Sequence, residues 1–324
     1  MKFSIIVPVY NRIAEVEDLL KSLDNQTVKN FELVIVEDGS TQKCDSAISK
    51  YKDSFPVKYI YKENEGRSIA RNVGMENATG DYFIFFDSDC VIPEQYFEVL
   101  ENCLKENPTD CFGGPDAAHD SFTNTQKAIN YTMTSFLTTG GIRGGKISME
   151  KFVPRTFNMG FSRAVYETVG GFREMFSEDI DMSTRIRKAG FSITLFTDAF
   201  VYHKRRVNFK KFLRQVYVFG MSRITLKILY PESLKLVHTL PALFVIAAIF
   251  INPWCISPLT TYFVLIFFFS LVSTKSIIIA LKVIPASIIQ LGGYGTGFIF
   301  AFIKKIILGK GRNIEEEILL RKGK

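Results

Sequence analysis

Asp81-Tyr82-Phe83-Ile84-Phe85-Phe86-Asp87-Ser88-Asp89 is a hydrophobic run that ends in two carboxylates one residue apart. Residues i and i+2 of an extended chain point to the same side, so Asp87 and Asp89 fall together at the end of a strand. Two like charges held together repel unless a cation sits between or beside them. A hard divalent cation carrying a diphosphate suits such a pair, because it takes oxygen ligands from protein and phosphate alike. An acidic surface turn would place the same two aspartates together. The apolar run before them and the motifs around them favour a site.

Upstream of this stretch the chain alternates apolar strands with helical spacing. Phe3 to Val9 reads as a strand, and Ile13, Val16, Leu19, Leu20 and Leu23 recur at helical intervals. Phe31 to Val36 and Val57 to Tyr61 are further strands, with a polar helix expected over Thr41 to Tyr51. A helix over Arg67 to Asn77 precedes the strand Tyr82 to Phe86, and Pro93 can open the next helix, running to Glu106. Strands buried on both faces with helices between them imply an α/β fold with a mostly parallel sheet. Ligands of such sheets gather at the carboxyl ends of the strands. Asn11 and Arg12, Asp38, and Asp87 with Asp89 all fall there.

Downstream, Thr138 to Lys146 holds four glycines and reads as a mobile loop. A short helix is expected from Arg163 to Thr168, with Gly170-Gly171-Phe172 breaking the chain. Glu178 to Ala189 reads as a helix with an acidic start and a basic end, the order that the helix dipole favours. Phe209, Phe212, Leu213, Val216, Tyr217 and Ile224 then form an apolar stripe among Lys204, Arg205, Arg206, Lys210, Lys211, Arg214, Arg223 and Lys227. Just before a hydrophobic region, such a helix reads as lying in a membrane interface with its bases near anionic head groups.

The net charge of +7 is concentrated there, which points to anionic lipid before nucleic acid. From Leu236 to Ile303 only Lys275 and Lys282 carry charge. Three apolar segments are expected: Leu236 to Ile251, Cys255 to Ser273 and Val283 to Ile303. A bilayer crossing needs about 20 apolar residues. The basic tail (Lys304, Lys305, Lys310, Arg312, Arg321, Lys322, Lys324) favours an even number of crossings, two, with the Pro285- and glycine-bearing third segment re-entrant or interfacial. Met1-Lys2 is followed by a short apolar run cut by Pro8, which reads as a first strand, not a signal peptide. Five cysteines without C-x-x-C spacing argue against a disulfide framework or a zinc site. Cys90 reads as a small core residue. No dinucleotide fingerprint or P-loop is present, so NAD and ATP chemistry have no support.

Five ordered motifs, Val7-Pro8-Val9-Tyr10-Asn11-Arg12, Glu37-Asp38-Gly39-Ser40, Asn64-Glu65-Gly66-Arg67-Ser68-Ile69-Ala70-Arg71-Asn72, Asp87-Ser88-Asp89 and Glu178-Asp179-Ile180-Asp181, resemble family-2 glycosyltransferases of the GT-A fold, over residues 3 to 225. The resemblance implies a Rossmann-like catalytic domain over 1–203. A basic interfacial helix over 204–230, a membrane region over 231–305 and a charged tail over 306–324 would follow. It implies inverting, metal-dependent transfer from a nucleotide-sugar, a UDP-sugar, to a membrane lipid or lipid-linked glycan acceptor, with no nucleic acid partner. The catalytic domain would face the cytoplasm at the cell membrane. Pro8, Tyr10, Asn11, Arg12, Asp38, Gly66, Arg67, Arg71, Asp87 and Ser88 would bind the donor. Glu37 departs from the family's usual aspartate. Asp89, with Asp87 and His203, would hold Mn2+ or Mg2+. Asp179 would be the general base, with Glu178 and Asp181 as alternatives. Asn158, Met159 and Gly160 would lie on the acceptor side. Gln215 and Arg223 would help close the donor pocket, although their spacing departs from the family's Q-x-x-R-W.

Two other readings use the same residues. Asp87-Ser88-Asp89-Cys90-Val91 also fits a haloacid-dehalogenase-like phosphatase, with Asp87 as nucleophile and Asp89 as acid/base. That motif normally follows the first strand of its core and leaves Glu178-Asp179 without a role. A non-catalytic nucleotide-sugar-binding membrane protein is the other.

Overall fold

The computed structural model describes residues 1–117, 119, 122–140, 152–204, 208–249 and 253–311, the side chains of 253–257 excepted. The elements begin with β1 (Phe3–Val9), α1 (Ile13–Asp24), β2 (Phe31–Asp38), α2 (Asp45–Ser49), β3 (Val57–Lys62) and α3 (Arg67–Glu76). Next come β4 (Tyr82–Phe85), β5 (Cys90–Val91), α4 (Tyr96–Glu106), β6 (Cys111–Gly113), β7 (Asp116–Ala117), α5 (Asn124–Thr134) and α6 (Phe136–Thr139). The middle of the chain forms β8 (Met159–Ser162), α7 (Arg163–Val169), α8 (Glu178–Lys188), β9 (Ile193–Leu195) and β10 (Val201–His203). The last helices are α9 (Phe209–Leu229), α10 (Leu240–Ile249), α11 (Pro253–Thr274) and α12 (Ile277–Ala301). They divide into two compact units, residues 1–119 with 151–204 and residues 120–150 with 205–324. Residues 122–140, read as part of a catalytic stretch 1–203, fall with the second unit.

The first unit is built on a seven-stranded sheet in the order β3-β2-β1-β4-β8-β6-β9. β1, β2, β3 and β4 run parallel, and β8 is antiparallel to both of its neighbours. The continuous apolar runs of β1, β2 and β4 follow from burial on both faces. Ile5, Val7, Leu33, Ile35 and Ile84 pack with Leu19, Leu20, Phe97 and Leu100 of α1 and α4. Ile6, Val34, Val36, Phe83 and Phe85 pack with Ala70, Met75, Met182 and Ile186 of α3 and α8. In register, Val9 lies opposite Glu37 and Ile6 opposite Phe85, which brings Asp38 and Asp87 to the same edge of the sheet. The Thr41 to Tyr51 helix is shorter than expected and spans only α2.

A second, three-stranded sheet, β5-β10-β7, sits just past that edge. β10 is antiparallel to β5 and parallel to β7, so Cys90 lies opposite His203 and Asp116 opposite Val201. The backbone N–H of Lys204 donates to the carbonyl of Asp89 at 3.1 Å, which fixes the end of β10 beside the aspartate pair.

Asn158, Met159 and Gly160, expected on the acceptor side, lie in the interior of the sheet. Asn158 and Met159 are fully buried, and β8 is inserted between β4 and β6. Asn158 Oδ1 accepts from the Tyr96 hydroxyl at 2.6 Å, and its Nδ2 donates to the Ala199 carbonyl at 2.7 Å. Gly160 lies under the Phe112 ring.

The second unit is helical. Phe212 and Val216 of α9 pack on Ile129 and Met133 of α5 and on Ala286 of α12, so protein covers much of the apolar stripe. Lys210, Lys211 and Arg214 remain exposed. Arg205, Arg206 and most of the basic tail lie outside the described residues, as does the glycine loop beyond residue 140. The third apolar segment, expected to be re-entrant or interfacial, is a continuous helix. It starts at Ile277 under a Ser276 cap, runs through Pro285 and passes into a π-turn to Ile307. Among the described residues it is the one helix long and apolar enough to cross a membrane. α10 has 10 residues and spans about 15 Å, half a bilayer core. The glycines of α12 serve close helix packing, not chain breaks. A Cβ at Gly297 would lie 2.1 Å from the Tyr217 carbonyl of α9, and one at Gly220 of α9 would lie 2.0 Å from the Tyr294 carbonyl.

A Cβ added to Gly160 would meet the Phe112 ring at 2.3 Å. Gly160→Ala should therefore destabilise the first unit by about 1–3 kcal/mol, through overpacking of the sheet. Thermal unfolding followed by near-UV circular dichroism checks this, and an unchanged midpoint would contradict it.

Candidate active site

The turn after β4 carries Asp87, Ser88 and Asp89, closed by a hydrogen bond from the Cys90 N–H to the Asp87 carbonyl at 3.0 Å. The Ser88 residue is buried. His203, at the end of β10, faces this turn. Its Nε2 lies 3.2 Å from Asp89 Oδ1 and 3.9 Å from Asp87 Oδ2, and its Nδ1 lies 3.8 Å from Asp116 Oδ2. The ring stacks on Phe157 at 4.7 Å between centroids. Burial alone would push the imidazole pKa down. The charge of Asp89, hydrogen bonds with Asp116 and Asp89, and the charge of Asp87 outweigh it and carry the pKa up to about 9.

Ligand atoms of Asp89, Cys90 and His203 lie within 4.8 Å of one another. Cys90 does not behave as a ligand. Burial, followed by the charges of Asp89 and Asp87, raises its thiol well above the ordinary range, and the thiol donates to the Phe157 carbonyl. Without the thiolate the donor set is carboxylate oxygen with one imidazole nitrogen, which fits Mn2+ or Mg2+ and not a soft metal. Arg12 Nη1 reaches Glu15 at 3.0 Å and Asp89 Oδ2 at 3.7 Å, so it shares the charge of the second aspartate.

Arg71 connects the motifs. Its side chain is 1% exposed, with one nitrogen 2.8 Å from Asp87 Oδ1 and the other 2.9 Å from Glu178 Oε1. Arg67, from the previous turn of α3, pairs with Glu178 Oε2 at 2.8 Å. Arg71, expected to approach a diphosphate, is buried and holds the carboxylates of Asp87 and Glu178 together. Asn72 secures the same junction, accepting from the Phe172 N–H and donating to the Phe172 carbonyl.

The acidic cluster at the start of α8 is thereby sorted. Glu178 is buried between two guanidinium groups. Asp181 is fully buried and paired with Arg173 and Arg185, a structural role. Asp179 is partly exposed; one oxygen accepts from the Ile180 N–H at 2.8 Å and the other lies 3.3 Å from Arg155. Ser177, just before them, has φ of 63°, a left-handed conformation uncommon outside glycine and typical of functional turns.

Asp38 is buried at the end of β2. It accepts from the backbone N–H groups of Glu65 and Gly66 at 3.0 and 2.9 Å and pairs with Lys62 at 2.7 Å. It therefore ties β2 to the entry of α3; helix capping, its alternative structural role, is not seen, since α2 has no side-chain cap. Glu37 turns the other way, into a buried cluster with the Cys44 N–H at 2.9 Å and the Tyr59 hydroxyl at 2.6 Å. Asn11, with φ of 52°, accepts through Oδ1 from Thr41 and Gln42. It joins the loops after β1 and β2. Pro8 is partly buried, and Tyr10 beside it is 52% exposed. Gln215 and Arg223 lie on α9 in the second unit.

Sequence reading missed Arg155, Phe157, Lys62 and Asp116. The turn Gly113-Gly114-Pro115 before Asp116 was the one local signal; the others bear none.

Removing Arg71 leaves Asp87 and the buried Glu178 facing each other without a shared cation. Arg71→Met should cost about 3–5 kcal/mol, the penalty for breaking a buried ion pair, at the lower end because Arg67 still pairs with Glu178, with Arg71→Lys intermediate. Urea denaturation monitored by fluorescence measures it. The raised His203 pKa also makes metal-free stability depend on pH. The contribution of the imidazolium is fully present below its unfolded value near pH 6.5 and is lost as pH rises through about 9. Thermal melts in chelator between pH 6 and 10 should show that loss, and His203→Gln should flatten it.

A model of the family described as "Glycosyl transferase family 2" matches residues 4–170, just over half of the chain. A Rickettsia conorii protein named as an uncharacterized glycosyltransferase is 42% identical over 106 residues, 33% of this chain and 18% of that protein. The chain thus matches less than a fifth of the length of this relative. Glycosyltransferase AglE of Haloferax volcanii is 26% identical over 255 residues, 73% of this chain and 78% of AglE. Among solved structures, mannosyltransferase PcManGT from Pyrobaculum calidifontis in complex with GDP-Man and Mn2+ superposes with a TM-score of 0.59 at 18% identity, covering 90% and 87% of the two chains. S. aureus TarS 1-349 in complex with UDP gives 0.51 at 19% identity, covering 96% and 92%. At these identities the likeness is one of fold, the α/β GT-A fold with a mostly parallel sheet. The phosphatase reading of Asp87 and Asp89 is set aside, since the pair follows the fourth strand of this fold and Asp87 is held by Arg71. With all five motifs gathered at one sheet edge and the family model spanning four of them, this chain belongs to glycosyl transferase family 2.

Proposed function

We propose that this chain transfers a sugar, with inversion, from a nucleoside diphosphate donor, a UDP-sugar, to a hydroxyl of a membrane-associated acceptor such as a lipid or lipid-linked glycan. The observation that carries the reading is the Arg71 bridge, which holds the aspartate pair and the acidic start of α8 in one constellation. Asp89, Asp87 and His203 would hold Mn2+ or Mg2+. When bound, the cation neutralises the charge that grows on the departing diphosphate. The solved relatives with GDP-Man and Mn2+ and with UDP-GlcNAc support a nucleotide-sugar donor and a divalent ion.

The side chains divide the remaining work. Asp38, with Oδ1 taken by Lys62 and Glu65 and Oδ2 accepting from the Gly66 N–H, keeps one acceptor position on Oδ2 for a nucleoside N–H or ribose hydroxyl. The exposed Tyr10 and the Arg12 guanidinium flank the same edge and suit a base face and a phosphate. Asp179 takes the proton of the attacking hydroxyl. It is the one carboxylate of the α8 cluster that is neither fully buried nor clamped between two arginines, which inversion by a single base requires. The helix Ile277–Ile307 supports anchorage in a membrane, with the catalytic stretch 1–203 on the cytoplasmic side, where nucleotide-sugars are made.

Asp179→Asn should keep Mn2+-dependent UDP binding and lower transfer, or slow donor hydrolysis, by about 10²–10⁴-fold. Asp89→Ala should weaken the metal-dependent binding itself. Titration calorimetry with UDP and Mn2+, alongside hydrolysis of UDP-, GDP- and dTDP-sugars, measures both. Equal turnover by wild type and Asp179→Asn would remove the base assignment.

A further inference from the structure

The three-stranded sheet has two faces, and the metal residues occupy one of them. Successive strand residues point to opposite sides. Cys90 and His203, opposite each other in register, face the aspartate turn; Val91 and Tyr202, the next pair, face away. On that far side lies a cavity of about 460 Å³, walled by Val91, Tyr202, Phe200 and His119 and by the start of α4. It lies wholly within the first unit, and none of the residues assigned to donor, metal or base lines it.

Its composition identifies a class of ligand. Phe200 packs against Tyr202 at 5.4 Å and 85°, and His119 against Tyr202 at 4.8 Å and 78°, so three rings meet at near right angles. Such a corner offers flat, weakly polar surfaces to an aliphatic ring. Around it stand Asn25, Glu94 and Gln95, exposed side chains that make no side-chain hydrogen bond among the described residues. Amides and a carboxylate next to aromatic planes match a pyranose, whose faces carry C–H groups and whose rim carries hydroxyls that donate and accept. A phosphate-bearing ligand is disfavoured by Glu94 and Asp198 in the wall. The volume lies within the range of small-ligand sites.

We propose that this cavity is a carbohydrate subsite, separate from the transfer centre and backing onto it through one thickness of sheet. The choice of a glycan rests on the sugar-transfer reading above. A glycan seated on Tyr202 bears on the strand that positions His203, so the subsite would sense a glycan while the opposite face handles the donor.

The test uses the full chain in detergent. Saturation-transfer difference NMR is recorded with maltotriose, cellotriose, mannotriose and N,N′,N″-triacetylchitotriose, with and without UDP and Mn2+. At least one trisaccharide should show transfer strongest at ring C–H protons and unaffected by UDP with Mn2+. The double variant Asn25→Ala, Gln95→Ala removes two exposed rim groups that hold nothing in place. It should weaken that trisaccharide at least fivefold and leave UDP–Mn2+ affinity unchanged. The proposal is overturned if no trisaccharide binds, if UDP with Mn2+ displaces it, or if the double variant binds it as wild type does. UDP binding without any trisaccharide defeats the subsite alone; trisaccharide binding without UDP defeats the donor reading instead.

Discussion

A single buried guanidinium organises this catalytic unit. Arg71 comes from α3, Asp87 from the turn after β4 and Glu178 from the start of α8, three segments whose apolar faces share one core and whose charged ends meet at this side chain. Burying a charge is costly unless it is paired and hydrogen-bonded, and here each terminal nitrogen of the guanidinium donates to a carboxylate. The pairing also sorts the carboxylates around it. Glu178 is paired with two arginines, while its neighbour Asp179 stays partly open. Division of labour among three nearby carboxylates thus follows from which of them the arginines reach.

The aspartate turn depends on a second constraint, the backbone bond between Lys204 and Asp89. It joins residues far apart in sequence and makes β10 an extension of the site. His203 acquires its neighbours through that bond, and its elevated pKa reflects the density of carboxylates gathered there. A divalent ion would take over the part that the imidazole proton plays in balancing those charges.

How much of this was readable beforehand depends on the range of the interaction. Asp87 and Asp89 declare themselves because an apolar strand and a two-residue period are local patterns. The order of strands and helices up to α4 is legible for the same reason, as is the acidic start and basic end of α8. The Arg71–Glu178 pair spans 107 positions, and nothing near either residue indicates the other. The strand from Met159 was not readable, because a short strand inserted antiparallel between two parallel partners has no distinctive periodicity. The third apolar segment misled. Proline and glycine usually interrupt helices in water, yet here neighbouring helices occupy the space that the missing side chains vacate.

The small residues of α9 and α12 have a mechanical consequence. Backbones in direct contact at Gly220 and Gly297 cannot slide or roll against each other without collision, so the two helices behave as one stiff beam. Were α12 to sit in a bilayer as proposed, a tilt imposed on it would be passed to α9, and Gln215 and Arg223 would travel with it. The lipid environment would thereby set the attitude of these two polar side chains without touching either.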